Sequence, residues 1–214
     1  MIFVVDASAS GRYGTRGKTK SELIAELSAL LAFSAVKNND RVGLIIFSDQ
    51  IEKYIPPKKG RLHVLRVVRE ILSFAPKHRK TDLNVGLRAL NDLVTKRSTV
   101  FLFSDFLADG YQTLLKIAHK KHDVVAIVVE DPTERQFPAL AGAVTLEDAE
   151  TLEVITLNAR RGFREKFAEA WRRRSQARDR VFAAVGLDHM EIQTGSPYID
   201  ELIRFFKIRK KRFH

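Results

Sequence analysis

Four apolar residues, Ile2 to Val5, run straight into Asp6. The same arrangement, a short apolar run closed by polar residues, returns at Arg41–Phe47 before Ser48-Asp49, at Ser98–Phe103 before Ser104-Asp105, and at Val124–Val129 before Glu130-Asp131. Unbroken runs of this length, rich in β-branched residues, predict strands buried on both faces, as in a parallel sheet. Between them the apolar period lengthens to that of a helix. Leu23, Leu27, Leu30 and Leu31 follow Thr19 and Glu22, which have capping-box spacing, and the helix they predict reaches about Lys37. Leu62, Leu65, Val68 and Leu72 predict a second helix ending before Pro76, Leu83, Leu87, Leu90 and Val94 a third, and Gly110 to Lys120 a fourth. Ile51 to Ile55 follows the strand at 41–47 after so short a turn that it must pair antiparallel to it. Pro56-Pro57 ends it and suits a sheet edge.

Strand, helix, strand, edge strand, two helices, strand, helix, strand is the order of an α/β fold. It predicts a doubly wound, mostly parallel sheet with one antiparallel edge strand and helices on both faces. Right-handed crossovers then bring all the parallel strand ends to one side. Beyond this unit, Gly142–Glu147 and Leu152–Leu157 flank Asp148-Ala149-Glu150-Thr151 and predict a hairpin. A long helix follows over Arg161–Val185, with Phe163, Phe167, Ala170, Trp171, Val181, Phe182 and Val185 as its apolar face. His189–Gln193 predicts a last strand. Ser196-Pro197 starts a final helix docked by Ile199, Leu202, Ile203 and Phe206, with Lys207 to His214 fraying. The 214 residues are expected to form one domain, in which about 142–214 is a hairpin and helical C-terminal elaboration.

Composition adds exclusions more than direction. There is no cysteine, hence no disulfide framework, and no apolar stretch approaching the roughly 18 residues of a membrane span. The first apolar run stops too soon for a signal peptide, so a soluble, cytoplasmic protein is the expectation. The net charge of +11 is concentrated late: residues 151–214 hold 15 Lys and Arg against 8 Asp and Glu. Such a field suits an acidic partner, nucleic acid or plain solubility. Arg172-Arg173-Arg174 and Arg209-Lys210-Lys211-Arg212 read as solvated helix faces, and the six histidines as surface or packing residues.

Candidate chemistry gathers on the rim where the parallel strands end. Asp6-Ala7-Ser8-Ala9-Ser10 offers one carboxylate and two hydroxyls at alternate positions, Thr81 precedes the third helix, and Asp105 closes the strand at 98–103. Two carboxylates and three hydroxyls from three separated segments suit Mg²⁺ or Mn²⁺, hard cations that take oxygen ligands and keep some waters. The loop Gly11-Arg12-Tyr13-Gly14-Thr15-Arg16-Gly17-Lys18-Thr19 beside them is polar and glycine-punctuated, and is expected to be mobile.

Asp6, Ser8, Ser10, Thr81 and Asp105 resemble, position by position, the metal-ion-dependent adhesion site of von Willebrand factor A domains. Its pattern is Asp-x-Ser-x-Ser, a distant Thr and a distant Asp. Further stretches are similar to a bacterial family named only as uncharacterised domain number fifty-eight. They are Asn39-Asp40-Arg41-Val42-Gly43-Leu44, Phe47-Ser48-Asp49, Pro56-Pro57-Lys58-Lys59-Gly60, Thr81-Asp82-Leu83, Ser104-Asp105-Phe106, Asp131-Pro132-Thr133-Glu134 and Asp148-Ala149-Glu150-Thr151. That resemblance implies a metal-dependent protein-binding module working with a MoxR-type AAA+ ATPase in protein remodelling or complex assembly, not an enzyme. A partner's acidic side chain would complete the metal's ligands. Members of that family usually carry a segment upstream of the first strand, so this chain reads as a short member or an excised domain. They often have methionine where this chain has Gly11, which is not a ligand position.

Three rival readings stand beside it. Gly17-Lys18-Thr19 between a strand and a helix is like a phosphate-binding loop, yet Arg12 occupies a position where glycine is required. An aspartate after an apolar strand also opens phosphotransferases of the haloacid-dehalogenase type, but Ser8 stands where their second carboxylate belongs. Nucleic-acid binding through the basic C-terminal region is the non-enzymatic rival, and it lacks interleaved exposed aromatics.

Overall fold

The computed structural model describes residues 1–15, 17–137, 143–147, 153–158 and 161–212. Its centre is β1 (Ile2–Asp6), every residue of which is buried. β1 pairs in parallel with β2 (Val42–Phe47) on one side and β4 (Thr99–Ser104) on the other. β3 (Ile51–Lys58) closes one edge antiparallel to β2, while β5 (Asp123–Glu130) and β8 (Asp188–Gln193) extend the other in parallel. The six-stranded order is β3-β2-β1-β4-β5-β8, mostly parallel with one antiparallel edge strand, as expected.

Alternation along β1 sorts its side chains to two faces. Phe3 and Val5 join one buried cluster with Leu23, Ile24 and Leu27 of α1 (Lys20–Lys37) and Val64, Val67 and Ile71 of α2 (Arg61–Ser73). Leu202 of α7 (Ile199–Arg212) completes that layer. Ile2 and Val4 face the other cluster. It draws Leu83, Leu87 and Leu90 from α3 (Leu83–Leu93), Leu115 and Ala118 from α4 (Gln112–Lys121), and Phe182 from α6 (Arg161–Val185). With both faces covered, each fully buried Leu or Ile contributes roughly 2 kcal/mol, and the central strands can be apolar throughout. Gly86 lets α3 sit close, since a Cβ there would lie 2.6 Å from the Phe47 ring.

Several expectations need correction. On α2 the buried stripe is Val64, Val67 and Ile71, whereas Leu62 is 84% exposed and Leu65 and Leu72 are exposed too. Both sets have helical spacing, and only the packing against α1 and the sheet chooses between them. β3 does not stop at Ile55 but runs through Pro56-Pro57 to Lys58. An edge strand has a free side on which missing N–H groups cost nothing. α7 begins at Ile199, two residues after Pro197, and stays helical through Arg212 rather than fraying from Lys207. It is held by Leu202 and by Arg209, which is buried and ion-paired with Asp123 and Asp188. Arg209 is therefore no part of a solvated face. Ile199 and Ile203 remain exposed, while Phe205 and Phe206 pack on the core.

A short helix, α5 (Pro132–Arg135), follows β5 and was not expected; Asp131 and Glu134 form its capping box. The hairpin strands are β6 (Ala143–Glu147) and β7 (Val154–Asn158), paired antiparallel in a sheet of their own. The expected turn at 148–151, with Gly142 and Leu152, lies outside the described residues.

Candidate functional site

Asp6 is the last residue of the central strand, and its carboxylate is only 6% exposed. One oxygen, Oδ1, accepts the backbone N–H of Ser8 at 3.0 Å. The other accepts the Ser104 hydroxyl at 2.7 Å, from the end of the neighbouring strand β4. These bonds do not offset burial: loss of water, and next the nearby Asp105 charge, push the Asp6 carboxyl up to about 6. Asp6 is therefore a carboxylate made uncomfortable by its own site.

The loop after Asp6 is fixed by its backbone. Ala7 N–H donates to Phe47 at 2.8 Å, Ala9 N–H to Arg79 at 3.0 Å, and Gly11 N–H to Ser8 at 3.0 Å, closing a 3₁₀ turn over Ala9–Arg12. The Ser21 hydroxyl of α1 holds Gly11 from below at 2.7 Å. Ser8 is buried. Ser10 belongs to the turn, and its side chain lies outside what the structure describes. The Ala9–Arg79 bond joins this loop to the segment that carries Thr81 into α3. Asp82 next to it caps that helix, accepting from Asn84 N–H at 2.9 Å. Asp105, 16% exposed, sits just past β4, where its Oδ1 accepts Leu107 N–H at 3.1 Å. The fold thus gathers the five expected positions on one rim, from β1, the approach to α3, and β4.

Two residues at this rim were not singled out from the sequence. Lys20, the first residue of α1, is 3% exposed; its ammonium lies 2.5 Å from Glu134 Oε1 and 3.8 Å from Asp105 Oδ2. Burial alone would lower the Lys20 ammonium, but Asp105 and then Glu134 reverse this and hold it above the ordinary lysine value. A signal existed: a cation in the first helical turn opposes the helix dipole, so a lysine directly after the Thr19 cap needs an explanation. Ser104, which holds Asp6, stands out in the sequence as a strand end and within the family-like stretch Ser104-Asp105-Phe106, but not as a partner of Asp6.

The loop expected to be mobile is anchored. Buried Asp131 accepts from the Thr15 hydroxyl at 2.7 Å and its N–H at 2.9 Å, from the Thr133 hydroxyl at 2.6 Å and from the Thr194 hydroxyl at 2.5 Å. Burial would raise this carboxyl, but those bonds outweigh it and hold Asp131 well below the usual range. Tyr13, 44% exposed, adds a hydroxyl contact to Thr133 at 2.9 Å. Glycine is required at residue 14, where a Cβ would meet Lys18 O at 2.3 Å.

Deeper toward the sheet edge, Arg178 and Arg135 meet Glu130 and Glu191. Arg178 donates to Glu130 at 2.7 Å and pairs with Glu191, while Arg135 bonds both glutamates at 2.7 Å and stacks 4.9 Å over Trp171. Trp171, expected in the core, is only partly buried beneath that guanidinium. Among the described residues no group of three or more His, Asp or Glu is placed to hold a metal. The candidate set at Asp6 is of another kind, two carboxylates supplemented by hydroxyls.

Solved structures with this architecture include BatB from Bacteroides thetaiotaomicron, at TM-score 0.62 and 15% identity over 100% of this chain and 98% of that one. An aerotolerance-related membrane protein from Bacteroides fragilis has TM-score 0.55 and 15% identity, covering 86% and 97%. Proximal thread matrix protein 1 from the mussel byssus has TM-score 0.50 and 19% identity, covering 61% and 37%. The fold is accordingly of the von Willebrand A-like class. Residues 1–177 match the family described as protein of unknown function DUF58, and the chain belongs to it. It is 28% identical over 211 residues to uncharacterised proteins of Mycobacterium bovis and Mycobacterium tuberculosis. The match covers 97% of this chain but 66% of those relatives, just under two thirds of their length.

Proposed function

We propose that this chain is a metal-dependent protein-binding module and not an enzyme. Its rim would hold Mg²⁺ or Mn²⁺ through Asp6, Ser8, Ser10, Thr81 and Asp105. The observation that carries the reading is the placement of Asp6, a buried carboxylate at the end of β1 held by the Ser8 N–H and the Ser104 hydroxyl, next to the strand end that leads to Asp105. Burial and the Asp105 charge push its carboxyl up, in keeping with this. A divalent ion relieves both the burial and the repulsion, and oxygen-only donors favour a hard cation. When bound, the ion would supply a Lewis-acidic position for a partner's carboxylate. The chain's own contribution is to hold the donors: Ser104 and the Ser8 N–H fix Asp6, and Ala9 ties its loop to the Thr81 segment.

By family resemblance the partner system is a MoxR-type AAA+ ATPase or its client in the cytoplasm. No described helix is long and apolar enough to cross a membrane. The nucleic-acid reading is weakened because Arg209 is committed to Asp123 and Asp188. The test is calorimetric titration of Mg²⁺ and Mn²⁺ into the wild type, Asp6→Ala and Thr81→Ala, followed by pull-downs with the ATPase, with and without chelator. Saturable binding lost in Asp6→Ala, and capture lost with chelator, are expected. Metal-independent capture, or steeply salt-dependent binding to DNA in its place, would overturn the reading.

A further inference from the structure

Lys20 is the least expected side chain on the rim. It combines near-complete burial with a position at a helix N-terminus, and the helix dipole opposes a cation there. Burying an ammonium is costly unless it is well paired. Its partners are Glu134, fixed by its own bond to the Asp131 N–H at 2.8 Å, and Asp105, one of the candidate ligands. Glu130 contributes attraction from further away, although Arg178 and Arg135 already pair with it.

Charge counting gives this arrangement a meaning. Asp6, Asp105 and Glu134, the candidate ligands and the partners of Lys20, bring three negative charges and Lys20 one positive, while Asp131 is held apart by the hydroxyls of Thr15, Thr133 and Thr194. The surplus is then two, the charge of one divalent ion. Without Lys20 the surplus would be three, and a loaded centre would stay negative and repel an incoming carboxylate.

We propose that Lys20, clamped between Glu134 and Asp105, is a built-in cation that sets the charge of this centre. It holds metal affinity down and leaves the loaded centre neutral, so that an acidic partner can bind. The proposal rests on the metal-dependent reading above and adds to it a positioning residue outside the five-residue motif.

The test is Mn²⁺ titration, read by calorimetry and by the electron paramagnetic resonance of free Mn²⁺, on the wild type, Lys20→Met, Glu134→Gln and the double variant. Removing one full charge near the ion should change affinity roughly ten-fold. Lys20→Met should bind Mn²⁺ about ten-fold more tightly, Glu134→Gln about ten-fold more weakly, and the double variant within about three-fold of the wild type. A purely structural pair would weaken binding in both single variants. Acetate, as a stand-in carboxylate, should bind Mn²⁺-loaded wild type several-fold better than loaded Lys20→Met.

Wild-type binding that Lys20→Met leaves equal or weakens, in a variant that melts cooperatively, sinks this inference while the metal reading stands. If Lys20→Met does not fold, unchanged affinity in Glu134→Gln overturns it instead. Equal acetate binding to the two loaded proteins refutes the claim about acidic partners. No Mn²⁺ binding by any of the four overturns the metal reading itself, and this inference with it.

Discussion

Two polar clusters lie at the same end of the same sheet, and they are built on opposite principles. On β5 and β8, Glu130 and Glu191 meet Arg178 and Arg135, with guanidinium forks satisfying the carboxylate oxygens and the more exposed Asp179 adding a third carboxylate 3.0 Å from Arg178. At the ends of β1 and β4, Asp6 accepts from the Ser8 N–H and from the Ser8 and Ser104 hydroxyls, while Asp105 accepts from the Leu107 N–H and shares a lysine with Glu134. In the first cluster every charge has an ion-pair partner, and it fastens α6 to the sheet. The second carries excess negative charge next to a buried carboxylate, which is what marks it as a candidate site rather than a fastening.

That contrast can be broken most forcefully at Arg178. Arg178→Met leaves Glu130, itself 2% exposed, with Arg135 as its remaining ion-pair partner and takes one guanidinium from Glu191; it should cost about 3–5 kcal/mol in urea unfolding, with no rescue by Mn²⁺. Asp131→Ala comes next. Losing an acceptor shared by Thr15, Thr133 and Thr194 should cost about 3 kcal/mol and open the 11–19 segment to protease, read by limited proteolysis. A variant as stable and as resistant as the wild type would show that this clasp is incidental.

At Asp6 the expected sign reverses. Asp6→Asn should stabilise the metal-free protein at pH 7.5 by about 1–3 kcal/mol, because a neutral amide avoids both burial of charge and repulsion from Asp105. The same variant should show none of the rise in melting temperature that Mn²⁺ is expected to give the wild type. Destabilisation without metal would mean that Asp6 is an ordinary structural carboxylate.

The smallest effect sharpens the point through pH. With a folded pKa near 6 against an unfolded 3.8, Asp6 binds its proton more readily in the folded state. Its contribution to stability is full below about 3.8 and is lost as pH rises through 6. The stability advantage of Asp6→Asn over the metal-free wild type should therefore shrink as pH falls from 7 toward 4. Asp131 has the opposite sign: its contribution is present above the unfolded value and declines as pH falls below it. Because Asp131 is common to both proteins, the difference isolates Asp6. A difference that is flat with pH would refute the assignment.

Much of this molecule could be read from the chain. Buried parallel strands announced themselves as apolar runs closed by polar residues, because a strand covered on both faces has no reason to alternate. Thr19 and Glu22 formed the expected capping box, and helix α6 has its expected bounds, since caps and long periodic faces are local properties. The positions of Asp6, Thr81 and Asp105 on one rim followed from strand order and crossover handedness alone.

Where the sequence was ambiguous, tertiary packing decided. It chose Val64, Val67 and Ile71 over Leu62, Leu65 and Leu72, two stripes with equal helical credentials, because only one side of α2 faces the core. It turned an expected mobile loop into an anchored one, because Asp131 and Thr194 lie more than a hundred residues from Thr15 in the chain. Above all it buried Lys20 between two carboxylates. Periodicity reports which residues can share a face, but the electrostatic surroundings of a charge depend on which distant segments the fold brings within a few ångströms of it.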